Sequence, residues 1–241
     1  PLLEKYFGDW AAPAGARPGK SLPEAAKPQA ARVFLIDRPD AVQSTILAGT
    51  LMPSSLVPDR FEIETMNAVL GGTFTSRLNM NLREDKHWSY GVNSALPSAV
   101  GPRPWLVSAP VQTDRTVDAL RELQRELVEY VGPRPATAEE IAKIRNRDVR
   151  ALPGRYETNA SVAGTIADMV VFRRPDDYVR TLKARIEAQS DDGVRAAARA
   201  TLDPATLTWV IVGDLKKIEQ PVRELKLGAV QVLDKDGQVV R

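Results

Sequence analysis

The chain has 241 residues, 43% of them hydrophobic and 27% charged, with 33 Lys and Arg against 31 Asp and Glu. That length buries a sizeable core as one large domain or two small ones, and the near-balanced, well-mixed charge leaves no basic footprint for nucleic acid or an anionic membrane. One histidine and no cysteine exclude disulfides, thiolate metal sites and every zinc motif built on two histidines.

Residues 1–31 open with LLEKYFGDW and continue into a Pro-, Ala- and Lys-rich stretch from Pro13 to Pro28. That composition predicts an extended interdomain linker or arm, which Leu2, Phe7 and Trp10 could dock against a neighbouring domain. No signal segment is visible and no apolar run approaches the ~20 residues of a membrane span.

The fold proper is expected over 32–241. Val33–Asp37 is a short apolar run stopped by Arg38-Pro39-Asp40, as a buried strand would be, and 42–49 is a second strand candidate. Phe61, Ile63, Met66 and Leu70 shift to helical spacing, between a start signal at Pro58-Asp59 and a stop at Gly71-Gly72. Thr75-Ser76 can cap a second helix running to about Glu84.

Strand-like runs follow at 90–96 and 105–111. A helix over 114–130 carries Val117, Leu120, Leu123 and Leu127 on one face, and Gly132-Pro133-Arg134-Pro135 ends it. Thr137-Ala138-Glu139-Glu140 is a capping-box start for a helix through about Leu152. Helical segments around 157–171, 176–188 and 190–201 precede a buried closing strand over 207–213. The tail 229–240 can add an edge strand around an Asp236-Gly237 turn. Strands paired as hairpins with grouped helices predict an α+β fold: a sheet of about five to six strands, antiparallel or mixed, covered on one face by helices.

Candidate chemistry concentrates in LGGTFTSRLNMNLREDKHWSY, Leu70 to Tyr90. Gly71-Gly72 matches neither a dinucleotide fingerprint nor a P-loop, so an anion nest competes with a tight helix-to-helix turn needing positive φ. Arg83 offers a fixed fork of donors for a carbonyl or carboxylate, and Tyr90 a neutral hydroxyl for a developing oxyanion. The plainer alternative pairs Arg83 with Glu84 or Asp85 at the surface and makes Tyr90 a half-buried strand aromatic. A lone His87 cannot build a zinc site, and no G-x-S-x-G elbow exists, so the chain alone is a poor candidate for a self-contained hydrolase.

Several blocks in order resemble the second, non-zinc domain of M16 (pitrilysin/insulysin-type) metallopeptidases, closest to the bacterial subgroup related to mitochondrial processing peptidase. They are FGDW, VFLIDRPDAVQS, MNAVLGGTFTSRLNMNLREDKHWSYGV, VQTDRT, TAEEIAKIR, LPGRYET and WVIVGD, and they cover nearly the whole chain. The resemblance implies a LuxS/MPP-like metallohydrolase fold and a domain without zinc. A partner domain or subunit would carry H-x-x-E-H and the metal, and a peptide substrate would lie between the halves. Within that pattern Arg83 and Tyr90 match the R-x6-Y pair that reaches across to the substrate: Arg83 holds a main-chain carbonyl and Tyr90 the oxyanion. Relatives often carry a small or aliphatic residue where His87-Trp88-Ser89 stands, and the bulk of Trp88 could reshape the pocket.

What the resemblance implies overall is the substrate-clamping half of a zinc metalloendopeptidase, with a catalytically silent scaffold or peptide-binding subunit as the alternative. The isolated half could form a homodimer, and a periplasmic location fits bacterial relatives while the compartment stays open.

Overall fold

The computed structural model describes residues 1–11, 14, 15, 19 and 25–241. Most of the proline-rich stretch between Pro13 and Pro28 lies outside them. Where a linker was expected from the first residue, a short helix α1, Leu2–Phe7, forms with no buried residue. Its Leu2, Leu3, Tyr6 and Phe7 are all exposed, as is Trp10 beyond it.

Strands β1, Arg32–Asp37, and β2, Gln43–Met52, come next. Helix α2, Arg60–Asn67, widens into a π-helical turn over Ala68–Gly72, and α3, Arg77–Asn79, widens likewise over Met80–Asp85. Then follow β3, Asn93–Ala95; β4, Arg103–Gln112; α4, Thr116–Val131; and α5, Ala138–Ala151. Helices α6, Asn159–Val171; α7, Tyr178–Glu187; and α8, Asp191–Thr201, lead to β5, Thr208–Gly213. Helix α9, Leu215–Glu224, and strand β6, Ala229–Leu233, complete the chain.

The six strands form one mixed sheet in the order β3-β4-β2-β5-β1-β6. Consecutive strands do not simply pair as hairpins. β5 inserts between β1 and β2, parallel to the first and antiparallel to the second. Burial alternates strictly along β4 and β5: Trp105, Val107, Ala109, Trp209 and Ile211 are buried against the helices. The residues between them are more open, so helices cover one face only, as the sequence predicts. The core includes Leu120, Leu123 and Leu127 of α4 with Ile63 and Met66 of α2.

Two local outcomes differ from the sequence-based expectations, and a third agrees with them. The strand expected over 90–96 is confined to Asn93–Ala95, leaving Tyr90 outside it. Helix α9, which carries Pro221 in its interior, is not anticipated from the sequence. It forms because Leu215, Ile218 and Val222 recur on one face and are buried together. The tail does turn at Asp236-Gly237: Gly237 takes φ +80 and Asp234 Oδ1 accepts from the Asp236 and Gln238 amides at 2.9 and 2.8 Å.

Candidate functional site

A cleft of about 510 Å³ opens where the end of α2, the start of α3 and the edge of the sheet meet. Gly71, Phe74, Asn79, Arg83 and Gly91 line it, together with Ser108 and Pro110. The last two belong to the face of β4 turned away from the helices, so the cleft looks toward the uncovered side of the sheet.

Gly71 and Gly72 are not explained by positive φ, which neither adopts. They are explained by space. A Cβ on Gly71 would stand 2.5 Å from Ser94 Oγ and 2.8 Å from Ser94 Cβ, and one on Gly72 would stand 2.8 Å from Asn67 Nδ2. The double glycine lets the end of α2 press against β3. Asn67 locks the same corner, its Oδ1 accepting from Ser94 Oγ at 2.6 Å and Trp105 Nε1 at 2.8 Å.

Arg83 lies in the wide turn that follows α3 and reaches the cleft wall. Its guanidinium sits over the Phe74 ring, 4.5 Å from the centroid, and its Nε lies 3.1 Å from Glu84 Oε1. The surface pairing with Glu84 is therefore real, but an ion pair with both partners more than a third exposed is worth no more than about 1 kcal/mol. It leaves the fork free to exchange partners.

Tyr90 is 88% exposed and is not a half-buried strand residue. It stands beside Gly91 at the cleft but is not itself part of the lining. The segment carrying it is braced on both sides. Trp88 donates its amide to Leu82 O at 3.0 Å and accepts from the Gln112 amide at 3.1 Å. Ser89 Oγ donates to Pro110 O at 2.5 Å, and Val92 N donates to Asn79 Oδ1 at 2.9 Å.

Asn79 is the residue that sequence reasoning misses. Buried at the base of the cleft, it also donates Nδ2 to Phe74 O at 2.6 Å, so one amide ties the Phe74 loop to the Tyr90 loop. Nothing in a single Asn inside a helical pattern signals this; only the fold brings residues 74 and 92 together.

His87 has a backbone role. At φ +57 it is the left-handed residue closing the helix, with Trp88 N bonded back to Leu82 O and Lys86 N to Asn81 O, both at 3.0 Å. Trp88 is partly buried against the core and does not line the cleft.

Arg77, the first residue of α3, fixes this segment to the α5 cap. Its Nε and Nη2 donate to Glu140 Oε1 and Oε2 at 2.7 and 2.6 Å, and Glu140 Oε2 accepts from the Thr137 amide at 2.8 Å. Burial opposes the charge on both partners. The hydrogen bond and the opposite charge override it, raising the Arg77 pKa and, with the Thr137 amide, lowering that of Glu140. Among the described residues no group of His, Cys, Asp and Glu could hold a metal ion. No helix among them is long and apolar enough to cross a membrane.

A family model described as the peptidase M16 inactive domain matches residues 1–147. No curated protein matches the chain. Among solved structures, the peptidase M16 inactive domain of Pseudomonas fluorescens superposes with a TM-score of 0.73 at 22% identity, covering 84% of this chain and 47% of that one. A protease of Helicobacter pylori gives 0.78 at 16% identity over 88% of this chain and 51% of its own. A periplasmic protease of Escherichia coli gives 0.68 at 15% identity, over 88% of this chain and 23% of its own. The chain thus spans about half, or less, of the length of each. At these identities the likeness establishes the fold.

Proposed function

Because the chain belongs to the peptidase M16 family, as a domain of its inactive type, we propose that it is the substrate-holding half of a zinc metalloendopeptidase. The zinc-bearing half is a further domain of the same polypeptide or a separate subunit, and it supplies the metal and the water that the metal activates. This chain contributes two side chains. Arg83 donates its planar fork to a main-chain carbonyl of the bound peptide and fixes its register. The Tyr90 hydroxyl donates to the carbonyl oxygen that gains charge as the scissile carbon becomes tetrahedral, without a proton having to move.

The observation that carries this reading is the combination of exposure and bracing at Tyr90. A tyrosine 88% exposed contributes nothing to the core, yet the backbone on either side of it is held by Asn79, Ser89 and Gln112. An exposed aromatic hydroxyl on a fixed loop beside an arginine-lined cleft is suited to meet a group arriving from outside.

The test is reconstitution. The zinc-bearing half, zinc and this chain are mixed, and peptide cleavage is compared with the Tyr90→Phe variant. One lost oxyanion donor lowers kcat about 10- to 1000-fold with little change in KM. Cleavage by Tyr90→Phe at the unaltered rate would remove Tyr90 from the mechanism. A second reading, a silent scaffold, draws on the contact of Arg83 with Glu84 and Phe74 within the chain. It requires that Arg83→Ala and Tyr90→Phe both leave cleavage unchanged.

A further inference from the structure

A second cavity, about 270 Å³, lies between α2, α6 and α7 and shares no lining residue with the Arg83 cleft. Its walls carry Arg60, Arg155 and Arg174 against two carboxylates, Glu64 and Asp168. Behind Glu64 stands Arg103, which is fully buried at the start of β4.

The charges are not matched pair by pair. Glu64 Oε1 is shared, lying 3.3 Å from Arg60 Nη1 and 3.6 Å from Arg103 Nη1. Arg103 Nε donates to Pro53 O at 2.7 Å, but neither of its terminal nitrogens has a hydrogen-bond partner among the described residues. Arg174 has the Ser55 carbonyl at 2.7 Å, and neither it nor Arg155 forms an ion pair among the described residues. Burial and the neighbouring guanidinium of Arg60 depress the pKa of both Arg103 and Arg174.

A buried guanidinium whose terminal donors are unmatched is costly unless charge of opposite sign stands close by. Two of the three arginines are held in place all the same. Tyr178 lies between Arg60 and Arg174, with the two guanidiniums 5.5 and 5.6 Å from its ring centroid, and its hydroxyl accepts from Arg60 Nη2. A cavity this small, with three arginines in its walls against two carboxylates, fits a compact dianion rather than a peptide or a lipid tail. Guanidinium forks match phosphate oxygens, and a phosphoryl group carries about −1.5 to −2 charge near neutral pH.

We propose that this cavity binds a phosphate-class anion, either free phosphate or the phosphate of a small monoester, with Arg174 and Arg155 as its principal donors. Calorimetric titration of the domain with inorganic phosphate and, separately, with O-phosphoserine at constant ionic strength tests it. At least one should bind saturably with a Kd of about 1 mM or tighter, and the tighter of the two identifies the source. Arg174→Gln also loses the contact with Ser55, so it is paired with Arg155→Gln on the exposed rim, and circular dichroism checks that each variant is folded. Either substitution should weaken binding about 10-fold or more. Absence of saturable binding by both anions, or equal binding by both folded variants, overturns the assignment, as does the same response to sodium chloride.

Discussion

Single residues at the cleft are constrained by space and backbone shape as much as by chemistry. Gly71→Ala should destabilise the domain by about 1–3 kcal/mol, since its Cβ would meet Ser94 Oγ at 2.5 Å and the nearby backbone cannot retreat. A drop in the urea midpoint with an unaltered slope would register this, and an unchanged midpoint would mean the contact relaxes freely. His87→Gly should act in the opposite sense and raise stability by up to about 1 kcal/mol, because φ +57 costs a residue with a Cβ and costs glycine nothing. A lower melting temperature for that variant would show that the contact of His87 Nδ1 with Arg83 O, at 3.1 Å, outweighs the backbone gain. The R-x6-Y spacing of Arg83 and Tyr90 can be picked out of the sequence whatever the helix boundaries, but the exposure of Tyr90 cannot. The roles of Asn79 and Arg103 are not legible there, because their partners Val92, Pro53 and Glu64 arrive only through tertiary contact.

At the scale of elements, capping joins two distant segments. The box at Thr137 and Glu140 starts α5, and the same Glu140 carboxylate holds Arg77 near the start of α3. The folded-state pKa of Glu140 is lowered. The stabilisation this gives is therefore complete above the ordinary carboxylate value of about 4.3 and is lost as pH falls through the lowered one. Arg77 stays charged throughout. Thermal unfolding of the native chain between pH 7 and pH 3 should show this loss. Glu140→Gln should be less stable at pH 7 by about 2 kcal/mol and flatter across the acid range. Equal acid slopes for the two proteins would assign the loss to other carboxylates. The capping box is legible from four consecutive residues, Thr137 to Glu140, since it is a local motif. Its bond to Arg77 is not local and leaves no trace in the sequence.

For the whole molecule, strands grouped apart from helices predict an α+β fold with its sheet covered on one face, and that is what forms. Strand order is another matter. The runs at 33–37 and 42–49 look like the two arms of a hairpin, because a short Arg38-Pro39-Asp40 break separates them. Yet β5 lies between them, with Ile211 beside both Leu35 and Ile46. Pairing is decided by which strands bury the most apolar surface on both flanks, and no local pattern encodes that choice.

That inserted strand also governs when the domain can become itself. As the chain leaves the ribosome, β1 and β2 emerge early, but the strand that bridges them arrives only at 208–213, after every helix from α2 to α8. Until then the first two strands have a gap where their shared neighbour belongs, and closing it means joining segments some 170 residues apart, which is slow. A fragment ending before Thr208 would therefore be shorter than the smallest unit able to complete its own sheet.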